Sequence, residues 1–367
     1  MKISIVVFSS IECAFILLAA LVGCGSTPPR AVRVPDPAEQ PQPVFVGAPS
    51  LFETQIPHVS KLALCGEYLL TRHDSKFDGC VLVTRARTGD VAYEFRALDF
   101  QQLGSRALIF TERISEFDGR TGEIRDLGSC PLTSEWGTIV VSPDRKIAAY
   151  SARKLGSLRS THTAQPTSVV TIPGGASIAE VQPFKYRNYP LAFTPDGKFL
   201  LLGGTNARGN RKYRLGSEVL LWSVDHHQIL ERRLPSCLSV VGQLVVGDDE
   251  SGSLIVLDNK TSITLIEFAT GKRILTREHG LWYSRVATDE QNGVLAYAAK
   301  DAIVLLDLKR GNEYGIALEF DYVYSLALDV EVGLLAVAIG VPRSGRPVVF
   351  DRRQVVFDIS GLGLSPD

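Results

Sequence analysis

Short runs in which apolar and polar residues alternate, each closing on a turn residue, fill the chain from about residue 57 to residue 360. Four segments carry the pattern most clearly: IVVSPDRKIAAYSAR from Ile139, LAFTPDGKFLLLGGT from Leu191, RVATDEQNGVLAYAAK from Arg285 and LALDVEVGLLAVAIG from Leu326. Each predicts an apolar strand, an aspartate-bearing turn and a second strand of small and branched residues. Asp144, Asp196, Asp289 and Asp329 hold equivalent places. A short carboxylate bonds nearby backbone N–H groups, so an aspartate recurring in each unit is read as a turn former rather than a catalyst. Further strand–turn–strand segments start at Val81, Ile114, Leu220, Leu265 and Ile303, with Thr88-Gly89, Thr121-Gly122, Thr270-Gly271 and Arg310-Gly311 marking turns.

Two such hairpins make four short antiparallel strands over about 40–45 residues, the period of a propeller blade. Counting gives seven units, near 57–99, 100–132, 135–182, 187–236, 237–280, 281–321 and 322–360. Six and eight remain open, because the second unit is irregular. The last unit ends at its third strand, Val355 to Ile359. An open ring exposes strand edges, so an N-terminal strand around Pro43–Ala48 is expected to close the last blade. The expected fold is all-β: a seven-bladed β-propeller of four-stranded antiparallel blades spanning 43–360, with a tail at 361–367.

The SPDG-like first turns, the third strand Leu220-Leu221-Trp222-Ser223-Val224-Asp225 and the Thr-Gly last turns resemble the WD-repeat and YVTN-type propeller families. The resemblance covers about 300 residues and implies a fold, not an activity. Trp222 and Asp225 are spaced more widely than the family's Trp-Asp pair, so its buried network is not carried over.

The beginning of the chain reads differently. Lys2 precedes a short apolar core, Cys13 to Val22, and Glu12 interrupts the longer stretch, so a processed export signal over 1–23 is favoured over a membrane span. Leu21-Val22-Gly23-Cys24 resembles the bacterial lipobox, which implies that Cys24 is acylated, with chains such as palmitate, and begins the mature protein. Residues 24–42 are proline-rich, with Pro28, Pro29, Pro35, Pro37 and Pro41 holding an extended tether. At about 3.1 Å per residue it places the domain on the order of 50 Å from the membrane. Gly25, rather than aspartate, follows the cysteine. By the resemblance, this implies a lipid-anchored protein of the bacterial cell envelope, on the outer membrane and facing the periplasm.

Composition then narrows the function. The net charge of -1 excludes nucleic acid as the main partner, since that binding needs a large cationic surface. Gly-x-Ser-x-Gly, His-Glu-x-x-His, Cys-x-x-Cys and phosphate-loop motifs are absent, so no catalytic residue, metal or cofactor is expected. His226-His227 point to opposite faces of a strand turn, and Asp248-Asp249-Glu250 offer too few oxygens for calcium. Cys65, Cys80, Cys130 and Cys237 are read as free thiols.

The remaining signal is cationic. In the expected fold the loops joining second to third strands share one face, and several are long and basic. Arg153, Lys154 and Arg159 lie in the third unit; Arg208, Arg211, Lys212 and Arg214 surround Tyr213 in the fourth; Arg343 and Arg346 lie in the seventh, Arg72 and Lys76 in the first. Such a face attracts anionic groups of an envelope protein or another envelope component. The function expected is a non-enzymatic scaffold binding through this face. The alternative is a lactonase-like or quinone-dependent periplasmic enzyme, or a small-ligand binder, using the central channel.

Overall fold

A computed structural model describes residues 43–364 apart from 56–58, 75–78, 98, 131–138, 152–165, 173, 186, 195, 206–216, 238, 246–252, 259–261, 268–271, 280, 282–284, 290–291 and 344–345. Strand residues among 74, 187, 205, 217–218, 231–261 and 342–351 are described by their backbone alone. All regular elements among the described residues are β-strands, save one 3-10 turn at Ser360–Leu362. No helix among them is long and apolar enough to cross a membrane.

Two strands precede the sheets, β1 (Val44–Phe45) and β2 (Ser50–Gln55). The first sheet holds β3 (Val59–Cys65), β4 (Tyr68–Asp74), β5 (Gly79–Arg85) and β6 (Val91–Arg96). The second holds β7 (Asp99–Leu103), β8 (Arg106–Phe110), β9 (Arg113–Asp118) and β10 (Ile124–Ser129). The third holds β11 (Ile139–Val141), β12 (Ile147–Ser151), β13 (Thr167–Thr171) and β14 (Ser177–Val181). The fourth holds β15 (Arg187–Phe193), β16 (Phe199–Thr205), β17 (Ser217–Ser223) and β18 (Gln228–Cys237). The fifth holds β19 (Ser239–Val245), β20 (Ser253–Asp258), β21 (Ser262–Glu267) and β22 (Arg273–Glu278). The sixth holds β23 (Val286–Asp289), β24 (Val294–Ala299), β25 (Ala302–Asp307) and β26 (Asn312–Ala317). The seventh holds β27 (Tyr322–Asp329), β28 (Leu334–Arg343) and β29 (Arg346–Asp358), with β2 as its fourth strand.

Here the structure corrects one expectation. The strand that completes the last sheet is Ser50–Gln55, antiparallel to β29, and not the apolar run at Pro43–Ala48. Within that run only Val44 and Phe45 form a strand, and they add to the neighbouring sixth sheet, parallel to β26. Outer strands are largely exposed, as β6 is along nearly its whole length. They have little need of apolar side chains, so apolar density misplaces them. Strand β2 is irregular between Ser50 and Phe52, so the consecutive Leu51 and Phe52 both pack on the core between the seventh and first sheets, while Glu53 meets Arg353.

Alternate residues of each strand serve two different cores. Leu69 of β4 packs with Ala336 and Val356 of the seventh sheet, while Leu70 packs with Phe100 and Ala107 of the second. Similar cores join second to third, third to fourth, and sixth to seventh sheets. The first strands stack in sequence order, β3 on β7, β7 on β11, β11 on β15, β15 on β19, β19 on β23 and β23 on β27. Strand β27 in turn packs on β3, so the seventh sheet has the first as a neighbour.

The recurrent aspartates do act as turn formers. Asp144 Oδ1 accepts from the Ser142 hydroxyl and the Lys146 N–H, and Asp196 Oδ1 accepts from Thr194 and Lys198 in the same way. Burial raises both carboxyls, but the hydroxyl and N–H donors together outweigh it and hold them below the ordinary range. Asp289 and Asp329 go further and reach the next sheet. Asp289 Oδ2 accepts from the Val330 N–H at 2.8 Å, and Asp329 Oδ2 from the Gly66 N–H at 3.2 Å. One member of the series departs: where the fourth sheet has Gly197 at φ 72°, the third has Arg145 at φ 62°. Its guanidinium is held by Glu116 of the second sheet.

Candidate functional site

Antiparallel order puts every second-to-third strand connection at the end of the sheets where the first strands begin. The basic segments fall in these connections: Arg153, Lys154 and Arg159 between β12 and β13, and Arg208, Arg211, Lys212 and Arg214 between β16 and β17. These residues, with Lys76 and Cys24, lie outside the described residues. Asp248, Asp249 and Glu250 also lie outside them. Arg343 and Arg346 are opposite each other where β28 and β29 meet. This hairpin overshoots its sheet, because β27 stops at Tyr322 opposite Gly340 while the pairing of β28 with β29 runs on to Arg343. Of the basic residues singled out, Arg72 is described to its side chain.

Arg72 belongs to a cluster between the first and second sheets. Asp99, the first residue of β7, is buried and receives Lys61 Nζ at 3.1 Å and an Arg72 guanidinium nitrogen at 3.5 Å. Lys61 also donates to the Phe100 carbonyl and lies 5.0 Å over the Phe100 ring. Two cations thus approach this one carboxylate.

A second cluster lies between the seventh and first sheets. The Arg352 guanidinium lies 4.3 Å over the Tyr324 ring, and Tyr322 packs on Tyr324 with ring centroids 4.8 Å apart. Its neighbour Arg353, on the opposite face of β29, pairs with Glu53 at 3.0 Å. Gln354 returns to the face of Arg352 and is fully buried, its amide oxygen accepting the Thr71 hydroxyl at 2.9 Å. Arg352 has no carboxylate partner among the described residues.

At the other end of the sheets, cations are matched. Arg106 pairs with Glu116 and Asp118, Arg145 with Glu116, Lys146 with Asp144, Lys198 with Asp196, Arg87 with Asp358 and Arg310 with Asp307. His227 stacks on the buried Trp222, with centroids 5.6 Å apart and rings inclined 18°. Among the described residues no three His, Cys, Asp or Glu side chains approach as metal ligands would.

Sequence reasoning passed over Arg352, Tyr324 and Gln354. The available signal is Asp351-Arg352-Arg353-Gln354, a polar interruption in an otherwise apolar third strand. Its meaning depends on which sheet lies against β29. Chemically, a guanidinium resting on an aromatic ring keeps its in-plane N–H groups at its edge, ready to donate to a planar anion.

No family model matches the chain, and no curated protein matches it.

Proposed function

We propose that the chain is a lipid-anchored bacterial envelope protein whose seven sheets are the blades of a closed β-propeller of WD or YVTN type. In this reading it is a non-enzymatic scaffold, and it holds an anionic envelope partner on the face bearing the second-to-third strand connections. Acylated Cys24 and the proline-rich tether keep it at the outer membrane, facing the periplasm.

The observation that carries the reading is the cyclic succession of first strands, in which β27 packs on both β23 and β3. A ring of that kind brings all the long basic connections to one rim, and Arg352 and the Lys61–Arg72 pair share that rim. In this reading the long basic connections, rather than any difference in ion pairing between the two ends, supply the charge for an anionic partner.

The test is cross-linking of the tagged chain in intact cells followed by mass spectrometry, with Cys24→Ser as control. A reproducible envelope partner that is lost when Arg208, Arg211, Lys212 and Arg214 are changed to glutamate supports the scaffold. Capture that is unaltered by that reversal removes the basic rim from the reading.

A further inference from the structure

We propose that the outer edge of β26 is a strand-acceptor site for residues 44–46 of a second copy of this chain, so that two copies join by exchanging that segment. The inference goes beyond the scaffold reading and draws nothing from the basic connections.

The segment seated on this edge is not needed to complete its sheet. Strands β23 to β26 already make four, as in the other six sheets, and β1 is a fifth. Its pairing is the one parallel ladder among the described residues and covers two register positions, Val44 with Tyr314 and Phe45 with Gly315. The Val46 N–H adds a bond of 2.9 Å to the Gly315 carbonyl. Strand β2, next in the chain, pairs at five positions and sends Leu51 and Phe52 to a core. Parallel pairing is also slightly weaker per residue, so β1 is lightly held.

The edge is nonetheless shaped for this segment. Gly315 lies inside β26 and its φ is not in the left-handed region, so its backbone conformation does not call for glycine. Space does: a Cβ there would stand 3.1 Å from two carbons of the Phe45 ring. A glycine inside a strand marks such a close approach. Strand β26 also buries Glu313, Gly315 and Ile316, whereas the outer strand β6 is exposed along nearly its whole length. The site therefore takes an aromatic ring over Gly315 with branched residues on either side, and Val44-Phe45-Val46 is that sequence.

A second copy is favoured by what seating within one chain leaves unburied. Val44 is 63% and Phe45 65% exposed, the two most exposed large apolar side chains among the described residues. Exchange keeps every contact of the segment with β26, because the acceptor edge is the same in each copy. From Val46 to Ser50 the chain reaches about 14 Å at most. The sixth sheet of one copy must then lie beside the seventh of the other, with Val44 and Phe45 between them. Gly47, where a Cβ would meet nothing within 4 Å, is the pivot. Two copies thus bury apolar surface that one copy leaves in water.

The experiment mixes two purified, detergent-solubilised full chains, one carrying Val44→Cys and the other Tyr314→Cys, each with Cys80, Cys130 and Cys237 changed to serine. These positions are register partners, so mild oxidation is expected to give a disulfide-linked pair of chains. Phe45→Ser, which removes the ring without touching β26, and Gly315→Val, which fills its seat, are each expected to abolish most of that product. A chain carrying both cysteines reports the pairing within one copy. An internal disulfide there, with no linked pair on mixing, shows that the segment stays on its own sheet and overturns the inference. No disulfide in either experiment overturns the pairing itself. A linked pair formed equally well with Gly315→Val comes from random collision and overturns the seat. The scaffold reading stands or falls separately, by the capture experiment with its charge reversal.

Discussion

Asp329 in the seventh sheet accepts a hydrogen bond from the Gly66 N–H in the first, at 3.2 Å, across 263 residues of sequence. The same carboxylate also accepts from the Val332 N–H of its own turn. It thus folds a local turn and joins the two ends of the succession of sheets. Asp329→Ala leaves both N–H groups without their acceptor and is expected to cost about 2 kcal/mol, read from urea unfolding. Asp329→Asn keeps an acceptor oxygen and is expected to cost less.

Acid acts on the same residue with a definite sign. Burial lifts the Asp329 carboxyl above the ordinary aspartate range, against the lowering effect of the Val332 N–H, and the charge of Asp289 adds to the rise. A carboxyl that titrates higher when folded holds its proton more tightly in the folded chain. Its contribution to stability is complete below the unfolded value and is lost as pH rises through the folded one. Compared with Asp329→Asn, the wild type is therefore expected to lose stability as pH climbs from about 4 through the mildly acidic range. Parallel melting curves across that range check this, and identical pH slopes would contradict it.

Turns of the first and second sheets touch backbone to backbone. A Cβ on Gly119 would lie 1.9 Å from the Cys65 carbonyl oxygen, and one on Gly66 would lie 2.6 Å from the Gly119 oxygen. Neither neighbour is a flexible side chain that can swing aside. Gly119→Ala is expected to destabilise by about 3 kcal/mol. Gly104→Ala meets nothing within 4 Å but stands at φ 62°, and is expected to cost about 1 kcal/mol from backbone strain alone. The difference between the two variants measures the close approach.

Arg277 and Glu313 link the fifth and sixth sheets through a bond of 2.7 Å, with Glu313 almost completely buried. Removing one partner strands the other's charge. Glu313→Leu is expected to cost about 3–5 kcal/mol, whereas the pair Arg277→Met with Glu313→Leu is expected to be close to neutral. A double-mutant cycle by chemical denaturation reads both.

Thiol labelling reports burial independently. Cys65 is fully buried and its thiol is pushed far up, chiefly by burial. Cys80 is pushed up to about 11, first by burial and then by its hydrogen bond to Glu94. Cys80 is expected to alkylate slowly at pH 8, gaining about tenfold per pH unit on the way to that value, and Glu94→Gln should move the profile to lower pH. Cys65 should label only on unfolding.

How far the sequence can be read follows from where each residue finds its partners. The turns at Asp144 and Asp196 were legible because their bonds close within five residues, and the paired strands because within each unit successive strands pair with one another. The closing strand was half legible: an N-terminal strand was expected, but Ser50–Gln55 rather than Pro43–Ala48 supplies it. Exposed outer strands carry little apolar signature, so the more apolar run drew the expectation. Arg352 and Gln354 showed locally only as a polar interruption in their strand, and Tyr324 not at all. Their setting is made by β4, and Thr71 is 283 residues from Gln354. Arg145 was equally hidden, since its αL backbone is tied to Glu116 of another sheet.

The pairing of β2 with β29 has a consequence in time. A ribosome delivers Ser50–Gln55 before any of the sheets, yet the strand it must join is completed only at Asp358. Made among the first, this segment is seated among the last. Until then the seventh sheet stands one strand short, with β29 presenting an unsatisfied edge. A chain halted before β29 would leave its early strand with no place to go, so production of the protein carries its own check on having reached the far end.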